Sequence, residues 1–261
     1  MRSLNIAATG MLAQQLNVEV ISNNIANMNT TGYKRQRAEF QDLLYQNLTR
    51  AGANSSESGT IVPSGVQLGV GVKAASVYRV IEQGTLQHTE NVLDVAINGR
   101  GMFRIQLPTG EDAYSRAGSF SVSAEGQLVT QDGFTVSPGI TIPSGAVDIA
   151  INADGEVQVK LDGQTQPQNV GQLELANFAN PSGMEARGSN LFLETPASGT
   201  PVTGVPGATG FGTIEQGYLE AANVNPVQEI TTLITAQRAY EMNSKVITTS
   251  DEMMAQVNQL R

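Results

Sequence analysis

Residues 4–28 read LNIAATGMLAQQLNVEVISNNIANM, and the far end of the chain, residues 227–261, reads VQEITTLITAQRAYEMNSKVITTSDEMMAQVNQLR. In the first stretch Leu4, Met11, Val18 and Ile25 stand seven apart, and so do Ala7, Gln14, Ile21 and Met28. In the second, Leu233, Tyr240, Ile247 and Met254 make one seven-residue row, and Ala239, Val246, Met253 and Leu260 make another beside it. A seven-residue apolar period marks helices that pack lengthwise against other helices. A helix at each end with β-like sequence between implies that the two ends come together and carry the middle. The expected fold class is therefore α+β: terminal helices packed as a coiled-coil-like pair, carrying a mostly antiparallel all-β domain.

The ends of both helices are legible. The first stretch contains no proline and runs into Asn27, Met28, Asn29, Thr30, Thr31 and Gly32, a cluster of cap and turn residues. The second opens at Asn225-Pro226, a good N-cap followed by a residue suited to the first helical position, with Gln228 placed to complete a capping box. It then runs to Arg261 without glycine or proline.

Between the helices, residues 71 to about 215 alternate with period two. Phe103, Ile105 and Leu107 form one such set, Val147, Ile149 and Ile151 a second, and Val157, Val159 and Leu161 a third. Asn98-Gly99, Glu125-Gly126, Asp132-Gly133, Asp154-Gly155 and Asp162-Gly163 read as tight hairpin turns. Absence of helical patterns between the strands disfavours a parallel βαβ fold. Pro196 to Gly212, with three prolines, reads as an exposed loop. Around Phe40, Leu43 and Leu44 the pattern fits either a short amphipathic turn or an extended piece. Residues 50–69 have the composition of a linker, the alternative being a protruding hairpin with Ile61/Val62 and Val66/Leu68 in its strands.

Composition narrows the chemistry. The chain has 261 residues, 40% hydrophobic but only 15% charged, against about 25% in an ordinary globular protein. A low surface charge suits a protein that meets other protein more than water. Net charge is −9, which argues against nucleic acid as a partner. The short basic run Lys34, Arg35, Arg37 reads as a solvated face rather than a phosphate contact. There is no cysteine, which excludes disulfides and thiolate chemistry, and a single histidine, His88, with no nucleophile elbow to serve. No catalytic, cofactor or metal residues are expected, and Met253 and Met254 read as packing residues. No segment reads as a secretory signal or a membrane helix. Isolated helical stripes have nothing to bury against, so the ends are expected to be unordered in a free monomer and stable among copies.

At Ser22-Asn23-Asn24-Ile25-Ala26-Asn27, followed by Thr31-Gly32-Tyr33-Lys34, the chain resembles the rod and hook proteins of the bacterial flagellum. Support comes from Leu93 through Phe103, from Tyr114-Ser115-Arg116-Ala117-Gly118-Ser119-Phe120, and from Gln237-Arg238-Ala239-Tyr240-Glu241-Met242-Asn243. Length favours a rod protein over the longer hook protein. Tyr45 to Gly69, with Ser55, Pro63, Gly65 and Gly69, resembles the extra segment of distal rod subunits, which is held to lock neighbours and keep the rod straight. That resemblance overrides the linker reading. Met102 stands where the family usually has an aromatic.

The resemblance implies a helical polymer. Residues 1–32 with 222–261 would form its inner tube, 33–70 with 213–221 a connecting domain that includes an extended hairpin at 45–69, and 71–212 an outer β domain. It also implies partners: further copies of the chain, proximal rod proteins, the hook protein, the P- and L-ring proteins, and the flagellar type III export apparatus. The subunit would be exported without a cleaved signal, sit in the basal body from periplasm to outer membrane, transmit torque from motor to hook and form part of the export channel. A proximal rod subunit of the same family, and a glycan-binding or wall-hydrolysing β protein, are the alternatives.

Overall fold

In a computed structural model of the chain, residues 2–49, 64–164 and 166–259 are described. They form two compact units. One gathers the terminal helices with Gln36–Tyr78, and the other consists of Asn27–Arg35 and Arg79–Val224.

The helical unit contains α1 (Arg2–Ala26), β1 (Gln36–Asp42), β2 (Tyr45–Thr49), β3 (Val66–Gly69), most of β4 (Val72–Arg79) and, at the end of the chain, α2 (Pro226–Gln259). Asn225 caps α2 as its sequence foretells: its Oδ1 accepts hydrogen bonds from the N–H groups of Val227, at 3.1 Å, and Gln228, at 3.3 Å. Phe40 lies in an extended strand, β1, which pairs with β4. A hairpin ribbon is present, but its strands are β2 and β3, antiparallel, with Tyr45 opposite Gly69 and Gln46 opposite Leu68. Val66 and Leu68 are thus in a strand as expected, and their partners come from 45–49. Ile61 and Val62 lie outside the described residues.

The β unit contains β5 (Leu86–His88), β6 (Val95–Asn98), β7 (Met102–Gln106), β8 (Asp112–Ser115), β9 (Phe120–Val122), β10 (Leu128–Thr130), β11 (Thr135–Val136) and β12 (Ala146–Ile151). It continues with β13 (Glu156–Leu161), β14 (Gln168–Gln172), β15 (Leu175–Asn177), β16 (Glu185–Gly188), β17 (Leu191–Leu193), β18 (Val202–Gly204), β19 (Thr213–Gln216) and β20 (Tyr218–Glu220). The main sheet runs β16-β17-β8-β7-β11-β10-β9, and β15 bridges β7 to β18. A meander, β12-β13-β14, and the pairs β19-β6 and β20-β5 complete the unit. Its pairings are antiparallel.

The core of this unit is apolar and falls into three clusters, around Phe103, around Tyr114 with Phe178, and around Ile105 with Leu191. Val95, Ile97, Phe103, Phe120, Leu128, Val136, Val157, Leu175 and Ile214 pack together, with the rings of Phe103 and Phe120 edge to face at 5.0 Å. Phe103, Ile105, Val157 and Val159 are buried, as their alternation requires. Val147 is not: it is 69% exposed, because the register shifts between Ala146 and Asp148. An extra residue in one strand of an antiparallel pair reverses the facing of what precedes it.

Four of the five Gly turns join strands that pair with each other, and their glycines, 126, 133, 155 and 163, have positive φ. Asn98-Gly99 does not make a hairpin. It connects β6 to β7, which pair instead with β19 and β8. The Arg116 guanidinium draws this connection inward, donating to the carbonyls of Ile97 at 3.2 Å, Gly99 at 2.8 Å and Gly101 at 2.7 Å. The Pro196–Gly212 segment is not wholly loop, since β18 lies within it and pairs with β15.

Candidate functional site

Three contacts fix how α1 meets α2. Asn24 Nδ2 donates to Glu229 Oε2 at 3.3 Å, a Cβ on Gly10 would stand 2.9 Å from the Asn243 amide, and Ser250 Oγ bonds Ser3 Oγ at 3.3 Å. Moving from Asn24 to Gly10 to Ser3 climbs α1 by two heptads and then one. Moving from Glu229 to Asn243 to Ser250 descends α2 by the same steps. The helices therefore run antiparallel in one heptad register. Their facing rows are Ser3, Gly10, Asn17, Asn24 and Glu229, Ala236, Asn243, Ser250: small and polar, not aliphatic. Asn24, Glu229, Ala236 and Ser250 are buried there.

The apolar rows flank this seam. Ala7 and Ile21 are buried, while Leu4, Met11, Gln14, Val18 and Ile25 are half-buried. Met28 is exposed and lies beyond the end of α1. On α2, Leu233, Ile247 and Met254 are half-buried, and Tyr240 is exposed. The neighbouring row, Val246 and Met253, is exposed beyond a half-buried Ala239, and Leu260 lies outside the described residues. The apolar heptads mark the flanks of the contact, and the seam itself is a polar row. The signal was available, because serine, glycine and asparagine at 3, 10, 17 and 24 keep the same period.

The asparagine motif divides in two. Asn24 turns the chain back on itself: its Nδ2 donates to the Gln36 carbonyl and its Oδ1 accepts the Gln36 N–H, both at 2.8 Å. Asn23 is exposed. Asn27 opens the turn after the helix, where its carbonyl accepts the Thr30 N–H at 3.0 Å and its Oδ1 the Thr30 hydroxyl at 3.2 Å. Gly32 follows at φ 68°, and its N–H donates to the Glu220 carbonyl at 2.7 Å. A Cβ there would lie 2.8 Å from the Ala117 nitrogen, so both conformation and space demand glycine. Tyr33 is half-buried and its carbonyl accepts the Asn223 N–H at 3.4 Å. Gln237 and Arg238 are exposed on α2.

Lys34 corrects the solvated-face reading of the basic run. It is 3% exposed, and its Nζ lies 2.5 Å from Glu220 Oε1 and 2.8 Å from the Glu82 carbonyl. Arg116 Nε approaches the other Glu220 oxygen at 2.8 Å, and the Gly84 N–H donates to Oε1 at 2.9 Å. Burial alone would push the Glu220 carboxyl up, but Arg116, Lys34 and the hydrogen bonds together hold it below the ordinary carboxylate range. Burial pulls Lys34 down, against the attraction of Glu220. Within the β unit this triad ties the chain just after α1 to the chain just before α2. Sequence could not pair residues so far apart.

In the ribbon, Tyr45 and Gly69 are cross-strand partners and Gly65 is half-buried just before β3. Ser55 and Pro63 lie outside the described residues. Leu44, Tyr45, Leu48, Val66 and Leu68 are all exposed, so the ribbon has no core of its own, a marginal condition for two strands in water.

Three family models match in order: flagella basal body rod protein over residues 4–34, flagellar hook protein FlgE/F/G D1 domain over 96–159, and flagellar basal body rod FlgEFG protein C-terminal over 215–260. A flagellar basal-body rod protein FlgG of Caulobacter vibrioides is 64% identical over 261 residues, covering all of both chains. The chain belongs to the FlgG family of flagellar basal-body rod proteins. Its relatives in Agrobacterium fabrum, 54% identical over 99% of this chain and 98% of the other, and Bacillus subtilis, 38% identical over 100% and 99%, carry the same name. The first match ends at Lys34 and the third, which begins at residue 215, includes Glu220, so the triad links one residue of each matched segment to Arg116.

Proposed function

We propose that the protein is a structural subunit of the flagellar distal rod that self-assembles into a rigid, straight helical tube. The observation that carries this is the end-to-end match to FlgG rod proteins, together with helices whose shared row is polar and an α2 that exposes Val227, Ile230, Ile234, Met242, Val246 and Met253. Aliphatic surface left exposed on α2 is available for copies. In this reading α1 and α2 act as a coiled-coil-like pair and line the inner tube. Residues 1–32 with 222–261 form that layer, 33–70 with 213–221 the connection, and 71–212 the outer layer.

Roles follow for the residues singled out above. Leu4, Ala7, Met11, Val18, Ile21, Ile25 and Met28 pack with Leu233, Tyr240, Ile247 and Met254 between and within copies. Asn23, Asn24, Asn27, Gly32 and Tyr33 set the turn out of the tube, and Gln237 and Arg238 work on the α2 surface. The 45–69 segment locks neighbours and keeps the rod straight. The tube transmits torque, forms part of the export channel, and meets proximal rod proteins, the hook protein and the P- and L-ring proteins. The chain reaches its site in the basal body, spanning the periplasm, through the type III export apparatus without a cleaved signal. No enzymatic activity and no cofactor are assigned.

The test is deletion of the gene followed by imaging of isolated basal bodies. Rods that stop short and lack hooks are expected. Complete rods with hooks would refute the axial role.

A further inference from the structure

Two apolar patches on α2 have no cover among the described residues, and they lie on different sides of the helix at different heights. Near its start, Val227, Ile230 and Ile234 are 75%, 49% and 46% exposed. Taking the Glu229–Ser250 seam as the origin, they stand about 100–160° round the helix in one direction at 100° per residue. Further along, Met242, Val246 and Met253 are 64%, 46% and 55% exposed, about 40–100° round in the other direction. The second patch is concave: with Ser3, Lys245, Thr249 and Ser250 it lines a groove of about 520 Å³. One patch is a ridge of β-branched side chains, the other a groove walled by two methionines, whose flexible thioethers adapt to what enters.

Ridge and groove face roughly opposite ways, so one molecule cannot join them, but two molecules in the same orientation can. Sliding one copy along α2 by two heptads, about 21 Å at 1.5 Å per residue, brings the patches level. Ile230 then falls between Met242 and Val246 of the neighbour, and Ile234 between Val246 and Met253, an interdigitation of knobs and holes. The same shift sets Arg238 level with Glu252. Both are exposed, and neither makes an ion pair among the described residues. Charge at the rim thus agrees with shape at the centre.

We infer that a second copy of this chain seats its Val227–Ile230–Ile234 ridge in the Met242–Val246–Met253 groove, with its Arg238 against Glu252 at the edge. This deepens the self-assembly reading and rests on it. The contact is head-to-tail: each copy offers one ridge and one groove, so the association propagates and does not close on a dimer. It also gives the exposed Arg238 an ion-pair partner that it lacks among the described residues.

Cross-linking tests the contact directly, because the chain has no cysteine of its own. Rods are isolated from cells whose sole copy carries both Ile234→Cys and Val246→Cys, and are treated with a short bismaleimide. A ladder of dimers, trimers and higher species is expected, and rods with either substitution alone should stay monomeric on a denaturing gel. Rods that contain the double variant yet yield no ladder would overturn the docking, as would dimers from a single variant, while the rod assignment stood. Absence of the unsubstituted chain from isolated rods would instead remove the reading beneath it. Should the double variant build no rods, charge decides: Arg238→Glu and Glu252→Arg each reduce swimming, and the pair together restores it. Failure of the pair to restore swimming would overturn the docking.

Discussion

The helical unit and the β unit solve the same problem in opposite ways. In the β unit aliphatic and aromatic side chains are turned inward, and the main charged cluster, Lys34–Glu220–Arg116, is buried with its charges paired. In the helical unit the row shared by the two helices is serine, glycine, asparagine, alanine and glutamate; Val20 and Ile21 are buried on α1, but Val227, Ile230, Ile234, Met242, Val246 and Met253 of α2 are exposed. A body that completes its own core folds by itself. A helix pair that leaves part of its apolar surface exposed has, in the proposed rod, other copies to cover it. In that reading the two halves answer to different equilibria, one within the chain and one between chains.

That contrast can be broken first at the β core. Phe103→Ala removes a fully buried ring and should cost about 3–5 kcal/mol. Urea unfolding of the purified chain would show the loss as a lower midpoint. A small effect would mean that the β unit is not self-sufficient.

Next in size is Glu220→Gln, which leaves Lys34 and Arg116 buried without their carboxylate and should cost about 3 kcal/mol or more. It also carries a pH signature. Because the folded carboxyl lies below its unfolded value of 4.5, its contribution is complete above that value and is lost as pH falls through the lower folded one. Wild-type stability should therefore fall with acid in that window, and the Gln variant should lack that part of the slope. Denaturant midpoints across the acid range would measure it.

Asn225→Ala removes the cap of α2 and should cost about 1 kcal/mol, confined to the first turn. Hydrogen exchange at Val227 and Gln228 is the readout. An effect spread through the β unit would contradict the independence of the two halves.

Smallest in the free chain, and most telling, is Met242→Ser. Its side chain is mostly exposed, so unfolding should shift by no more than about 0.5 kcal/mol. Incorporation into rods should nevertheless drop. A variant that assembled normally would show that this face of α2 is not used.

Much of the fold was legible because local rules act over short distances. Seven-residue spacing marked both helices, Asn225-Pro226 marked where one begins, and four Asp/Glu-Gly turns marked hairpins whose strands are neighbours in sequence. Legibility failed where a distant side chain took over. Arg116 captured the Ile97, Gly99 and Gly101 carbonyls, and the Asn98-Gly99 turn gave up its hairpin. A bulge after Ala146 turned Val147 outward against its alternation.

By itself, then, the sequence determined the helices, the hairpin turns, the absence of cysteine chemistry and the family, since each is written in residue type and spacing along the chain. Only the tertiary structure decided that Lys34 and Glu220, 186 positions apart, share a proton-sensitive clamp. It alone decided that the helices meet through their polar row, leaving much of the apolar surface of α2 exposed. Burial and charge pairing depend on which distant segments share a space, and that is a property of the folded chain.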